Sequence, residues 1–230
     1  MAERRRLRRA LRLLGSAAVA AVLWLILPLG LRHLEFFRVR RVEIVGLQYL
    51  DAARVLGAAK IPPRASIYDD HAPIAARLQS LPGVRHAAVG SRAPGTLRIE
   101  LTEVEPVALT PKGERLAMVN ARAEVLPFDP LGSSPDLPVL IGGGALVAGA
   151  LARVKELDPA LFARIDAAWR VGPDVVFEVG GRWYWFDSGL TAEDIRAVTA
   201  VEQALARQGR AFGELDGRFD GQVVVRQGRA

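Results

Sequence analysis

The chain has 230 residues, half of them apolar, with no cysteine and three histidines. Without cysteine there is no disulfide, no thiol nucleophile and no cysteine metal site. The net charge of +6 is no argument for nucleic-acid binding, because "MAERRRLRRALR" holds six arginines against Glu3, so residues 1–12 supply 6 − 1 = +5 and leave about +1 for all the rest.

From Leu13 to Leu31 no residue is charged. Nineteen helical residues at 1.5 Å each reach about 28 Å, close to the hydrocarbon thickness of a bilayer. The sequence therefore predicts a transmembrane helix over 13–31, with the basic tail 1–12 retained in the cytoplasm and the remainder exported. "SAAVAA" has the small residues of a cleavage site, but the apolar run continues past it through Trp24 and Leu27, which favours an uncleaved anchor.

Beyond the anchor, "RVRRVEIVG" is rich in β-branched residues and ends on Gly46, as a strand and turn would. Asp51 is placed to cap a helix with Ala52, Val55, Leu56 and Ala59 on one face, and "IPPR" stops it. A second helix has Pro73 in its first turn and Ile74, Leu78 and Leu81 on one face. Val84–Ser91 and "TLRIELTE" follow as strands, the latter with Leu97, Ile99 and Leu101 in strict alternation, joined by turn residues around Pro94 and Gly95. Three strands and two amphipathic helices suffice for a small core.

From Val104 onward short alternating runs punctuated by Gly and Pro take over. Arg115–Asn120, Ala123–Phe128 and Leu137–Ile141 are predicted strands, and Leu146–Leu157 a helix with Val147, Ala150, Leu151 and Val154 inward. "RIDAAWRV" reads as a strand and "DVVFEVGGRWYWFDSG" as a hairpin turning at Gly180 and Gly181. Thr191 and Asp194 open a helix carrying Ile195, Val198, Val201 and Leu205. "FGELDGRFDGQVVVRQGRA" closes the chain as two strands meeting over Asp216–Gly221.

"VRRVEIVGLQYLDAARVLGAA" and "LQSLPGVRHAAVGSRAPGTLRIELTEVEPVAL" resemble the start and close of a POTRA domain, while "LPVLIGGG" and "ELDGRFDGQVVVR" are similar to landmarks of a second, β-rich domain. Together with the anchor, they make the chain resemble the FtsQ/DivIB family of bacterial cell-division proteins over nearly its whole length. Family members often carry a bulkier apolar residue where this chain has Gly217.

The resemblance implies an α+β fold: one N-terminal transmembrane helix, a POTRA domain (β-α-α-β-β) over 36–105, and a mostly antiparallel β domain with flanking helices over 106–230. It implies a single-pass protein of the cytoplasmic membrane at the division septum, with its C-terminal domains outside. No enzymatic activity, cofactor, metal, nucleic acid or small-molecule substrate is implied. The expected role is that of a divisome scaffold binding the bitopic coiled-coil proteins FtsB (DivIC) and FtsL, alongside other divisome proteins, to help regulate septal peptidoglycan synthesis. By motif match the partner surface is the last strand, with Phe219 as side-chain anchor and Gly221, Gln222, Val223, Val224 and Val225 continuing it. A partner segment would add to the sheet edge there.

Other residues support other readings less well. His33, His71 and His86 show no metal-ligand spacing. Asp69 and Asp70 suit capping, and Gly142–Gly144 lacks the lysine of a phosphate loop and suits a strand-to-helix turn. In "RWYWF", Trp183 and Trp185 share one strand face and Tyr184 and Phe186 the other, which packing explains without a sugar. Two alternatives stand beside the scaffold: a membrane-tethered enzyme acting on glycan through acids such as Asp187 or Glu193, and a POTRA adaptor for protein transport.

Overall fold

A computed structural model of the chain describes residues 34–133, 135–219 and 221–227. The basic tail, the expected transmembrane helix and His33 lie outside these residues. Among the described residues no helix is long and apolar enough to cross a membrane. The chain divides into two compact units, one ending at Leu47 and resuming over Asp51–Glu103, the other comprising Gln48–Leu50 and the residues from Val104 on.

The first unit runs through strand β1 (Arg41–Val45), helices α1 (Ala52–Ala59) and α2 (Ala72–Gln79), and strands β2 (Val84–Arg92) and β3 (Thr96–Glu103). This is the expected strand-helix-helix-strand-strand order. The sheet order is β1-β3-β2, with β3 parallel to β1 and antiparallel to β2. The most regularly alternating segment of the sequence is thus the central strand, with Leu97, Ile99 and Leu101 buried. Asp51 accepts a hydrogen bond from the Ala53 N–H at 3.2 Å and caps α1. That helix buries Val55 and Ala59 but leaves Leu56 exposed, a narrower stripe than its apolar residues suggest. Arg77 of α2 donates Nε and Nη2 to the Ala59 carbonyl at 3.1 and 2.8 Å, satisfying an acceptor that the end of α1 leaves open. Gly46, at φ +91°, turns the chain after β1 so close to β3 that a Cβ there would lie 2.0 Å from the Leu101 oxygen.

The second unit holds strands β4 (Ala108–Lys112), β5 (Arg115–Val119), β6 (Val139–Ile141), β7 (Ile165–Val171), β8 (Asp174–Val179), β9 (Arg182–Phe186), β10 (Glu214–Phe219) and β11 (Gln222–Arg226). Helix α3 (Gly144–Leu157) joins β6 to β7, and α4 (Ala192–Arg207) joins β9 to β10. The eight strands form one sheet in the order β11-β10-β9-β8-β7-β6-β4-β5. Val147, Leu151 and Val154 of α3 and Ile195, Val198 and Leu205 of α4 share one core with Phe177, Tyr184, Phe186 and Leu215, so both helices cover the same face. Thr191 and Asp194 make the expected reciprocal capping box on α4.

Three features differ from the sequence reading. The sheet is mixed: β4–β6, β6–β7 and β9–β10 pair in parallel and the other four contacts are antiparallel. The last two parallel pairs are each bridged by a helix, the connection a parallel return requires. Ala123–Phe128 is not a strand. Asn120 Oδ1 accepts from the N–H groups of Arg122 and Glu124 at 2.9 and 3.0 Å, Ala123 adopts φ +58°, and only a single bridge from Val125 to Val119 remains. Conversely, Ala108–Lys112 is a strand despite Pro111, and Pro159–Phe162 forms a helical turn capped by Asp158.

Candidate partner-binding edge

The long capped helix α4 returns the chain across one face of the sheet, and β10 enters it parallel to β9. The chain then reverses, and among the described residues β11 pairs antiparallel with β10 alone, with Glu214 opposite Arg226, Leu215 opposite Val225 and Asp216 opposite Val224. A register shift between Asp216 and Phe219 marks a bulge before the turn. β11 is therefore an end strand of the sheet, one side of its backbone directed away from β10.

The residues singled out in the sequence collect on this edge. Phe219 ends β10 with 49% of its surface exposed, and Gly221 and Gln222 are exposed at the turn. Val224 and Val225 are each 39% exposed, whereas Val223 is half-buried against the core. β11 is thus not a buried interior strand, and its apolar residues are not accounted for by the core alone.

The sequence reading missed the ionic cluster beneath this edge. Asp216 is fully buried. Arg218 donates Nε to Asp216 Oδ1 at 2.8 Å and Nη2 to Oδ2 at 2.6 Å, and its Nη1 reaches Asp174 Oδ2 at 2.6 Å. Arg226 of β11 donates Nη2 to Asp216 Oδ2 at 3.0 Å and pairs through Nη1 with Glu214 at 3.2 Å. The Arg218 guanidinium also stands 5.0 Å from the Trp185 ring. Its hydrogen bonds hold the Asp216 carboxyl below the ordinary carboxylate range despite the opposing effect of burial. In return Asp216, and then Asp174, raise the pKa of Arg218. The cluster ties β8, β10 and β11 together by charge as well as by backbone. Its sequence signal was the Asp216-x-Arg218 spacing, which puts both side chains on one face of a strand.

Gly217, between them, is required by packing. A Cβ there would lie 2.6 Å from Val198 Cγ2 of α4 and 3.5 Å from the Phe186 ring. The missing side chain lets the helix close onto β10.

The remaining candidates have local roles or none. Asp187 accepts from the Gly189 N–H at 2.6 Å, and Glu193 lies in the first turn of α4; both are exposed. Asp69 and Asp70, in the loop before α2, accept from the N–H groups of Ser66 and Ala72. The cap position of that helix is His71, which makes no side-chain cap bond, so both acids close loop turns instead of capping the helix as expected. His71 contacts the Ile67 carbonyl at 3.2 Å, and His86 is exposed on β2. Gly142–Gly144 turns from β6 into α3. Tyr184 and Phe186 are buried against the helices. Trp183 and Trp185 share the opposite face, but Trp183 remains 43% exposed and meets Trp169 edge-on at 5.7 Å, so packing does not fully enclose that side.

The first unit has known counterparts, since residues 37–103 match the family described as "POTRA domain, FtsQ-type". The fold is thus that of a POTRA-bearing protein with a second, sheet-rich unit. Over 247 aligned positions the chain is 31% identical to the cell division protein FtsQ of Rhodothermus marinus, an alignment covering 96% of this chain and 88% of that relative. It is 33% identical over 138 positions to the cell division protein FtsQ of Zymomonas mobilis, covering 59% of this chain and 44% of that one. The chain belongs to the FtsQ family of cell division proteins.

Proposed function

We propose that the protein is a non-catalytic scaffold of the division machinery, anchored by residues 13–31 in the cytoplasmic membrane at the septum. Its POTRA domain spans 36–105 and its partner-binding β domain 106–230. It takes an extended segment of a bitopic coiled-coil protein of the FtsB/DivIC type, with FtsL in the same assembly, onto β11, and so helps regulate septal peptidoglycan synthesis. The observation that carries this reading is the open edge at β11, flanked by exposed Phe219, Val224 and Val225. An added strand would satisfy the outward N–H and C=O groups of β11, and these side chains would supply apolar contact. The ionic cluster under β10 supports it further, because a rigid template loses little entropy on pairing.

The test is capture of partners by the full chain from its native membranes, wild type beside Phe219→Glu. Small bitopic coiled-coil proteins should be recovered with the wild type and lost with the variant, while both give the same thermal unfolding midpoint. Equal recovery would remove the edge from the mechanism, and recovery of no division protein by either would remove the scaffold.

A further inference from the structure

We propose that the end of the first unit nearest the anchor is a lipid-docking surface, seated on the headgroups of the membrane that carries residues 13–31; this rests on the anchored reading above. The chain leaves its uncharged stretch at Leu31 and is described from Leu34 on. Three residue steps span at most about 11 Å, whereas each headgroup layer is roughly 5–7 Å thick. Residues 34–36 therefore start at or just above the headgroups.

The residues held at that level have interfacial chemistry. The short 3-10 helix Glu35–Phe37 buries none of its side chains, and Phe36 is 59% exposed. The Phe37 ring meets Phe36 at 5.0 Å on one side and Tyr68 at 5.1 Å on the other, so one aromatic row joins residues more than thirty positions apart. Backbone bonds fix the row. Val39 N–H donates to the Ala65 carbonyl at 2.8 Å and Ile67 N–H to the Phe37 carbonyl at 3.0 Å, clamping the α1–α2 loop to the entry segment. The Arg40 N–H donates to the Gly95 carbonyl at 2.8 Å and brings the β2–β3 hairpin to the same end. Each of the three segments then contributes arginine: Arg38 and Arg40 from the entry, Arg64 from the loop and Arg92 from the hairpin. The acids at this end are Glu35, which pairs with Arg38 at 2.8 Å, and Asp69 and Asp70 after Tyr68, which accept from the Ser66 and Ala72 N–H groups.

Aromatic rings with one polar tip at headgroup depth, held by segments that each carry arginine, are a composition that membrane interfaces favour. Charge complementarity with an anionic leaflet and the short link to the apolar stretch both name lipid as the occupant. Docking would hold the POTRA domain against the bilayer in one orientation.

The absence of native cysteine makes the test direct. Full-length Tyr68→Cys, Phe36→Cys and His86→Cys, the last at the opposite end of the unit, would each be spin-labelled. The labelled chains would be placed in vesicles of phosphatidylethanolamine and phosphatidylglycerol, and collision with oxygen compared with collision with a water-soluble nickel reagent. The oxygen-to-nickel ratio should be severalfold higher at 68 and 36 than at 86. The ratio at 68 should fall toward the value at 86 when Arg64→Glu and Arg92→Glu are added, or when phosphatidylcholine replaces the anionic mixture, while that at 36, held near the headgroups by the short link, stays high. Equal ratios at 68 and 86 in chains that float with the vesicles would overturn the docking and leave the anchor standing. So would a label at 68 that is immobilised yet shielded from both reagents, the sign of a protein cover. Chains that fail to float would overturn the anchor, and the docking with it.

Discussion

Arg218 grips both carboxylate oxygens of Asp216, at 2.8 and 2.6 Å, and Arg226 on the neighbouring strand takes the second of them at 3.0 Å. Asp216 is fully buried, so the pair is a structural tie rather than a surface ornament. Losing either partner leaves the other charge with one remaining counter-ion, Arg226 for Asp216 and Asp174 for Arg218, and so under-compensated out of water, which costs more than an exposed ion pair is worth.

Arg218→Met should therefore lower the stability of the second unit by about 3 kcal/mol, the low end for a broken buried pair because the arginine is partly exposed. Asp216→Asn should cost a similar amount. The double variant Arg218→Met/Asp216→Asn should be less destabilised than the sum of the two. Urea unfolding followed by tryptophan fluorescence measures this, since Trp169, Trp183 and Trp185 all lie in that unit. Additive costs would mean that the contact carries no coupling.

The same cluster sets a pH dependence. The Asp216 carboxyl is held below its ordinary range, principally by Arg218, and Glu202 is lowered likewise by its paired bonds from Arg164 at 2.7 and 2.9 Å. The unfolded chain thus binds more protons than the folded chain in acid, and stability rises with pH there. The contribution of Asp216 is complete above the unfolded aspartate value of about 3.9 and is lost as pH falls through its lower folded value. Asp216→Asn should flatten the dependence of the unfolding free energy on pH below about 4. An unchanged slope would show that Asp216 is not the linked group.

These features divide what the sequence could announce from what it could not. The strict alternation of Leu97, Ile99 and Leu101, the capping box at Thr191 and Asp194, and the inward stripes of α3 and α4 are local patterns, and each was visible because a period or a cap is written into neighbouring residues. Strand direction is not local. The helices Gly144–Leu157 and Ala192–Arg207 between strands were themselves the clue to parallel returns at β6–β7 and β9–β10. The segment Ala123–Phe128 reads like a strand, but the side chain of Asn120 takes the N–H groups of Glu124 within it and of Arg122 just before it. Phe219 and Val223–Val225 were legible as a strand. Whether that strand was interior or edge was not, because the distinction depends on which strands pair across the whole sheet.

The turn after β1 allows a change confined to the first unit. Gly46→Ala would place a Cβ 2.0 Å from the Leu101 oxygen and force φ +91° on a residue that disfavours it. The strand and β3 would have to part there, at an expected cost of about 2–3 kcal/mol. Hydrogen exchange on the full chain should show faster exchange across β1 and β3 while the amides of β7–β9 keep their wild-type protection. Uniform acceleration in both units would mean that they unfold together.

Gly217 ties the candidate edge to the helix behind it. Because its absent side chain leaves room for Val198, Gly217→Ala drives a methyl group to 2.6 Å from Val198 Cγ2, and a β-branched side chain on a helix has little rotamer freedom with which to yield. Overpacking of this kind costs about 1–3 kcal/mol. Val198→Ala alone should also destabilise, by opening a cavity in the core it shares with Phe186 and Leu215. In the double variant Gly217→Ala/Val198→Ala the added methyl occupies part of the space that Val198 vacated. The double variant should then be more stable than the summed single changes by at least about 0.5 kcal/mol, beyond the scatter of independent sites. The denaturant midpoints of the four proteins measure this. If the costs simply add, the helix and strand adjust separately, and the fit of α4 against β10 does not hold the edge in place.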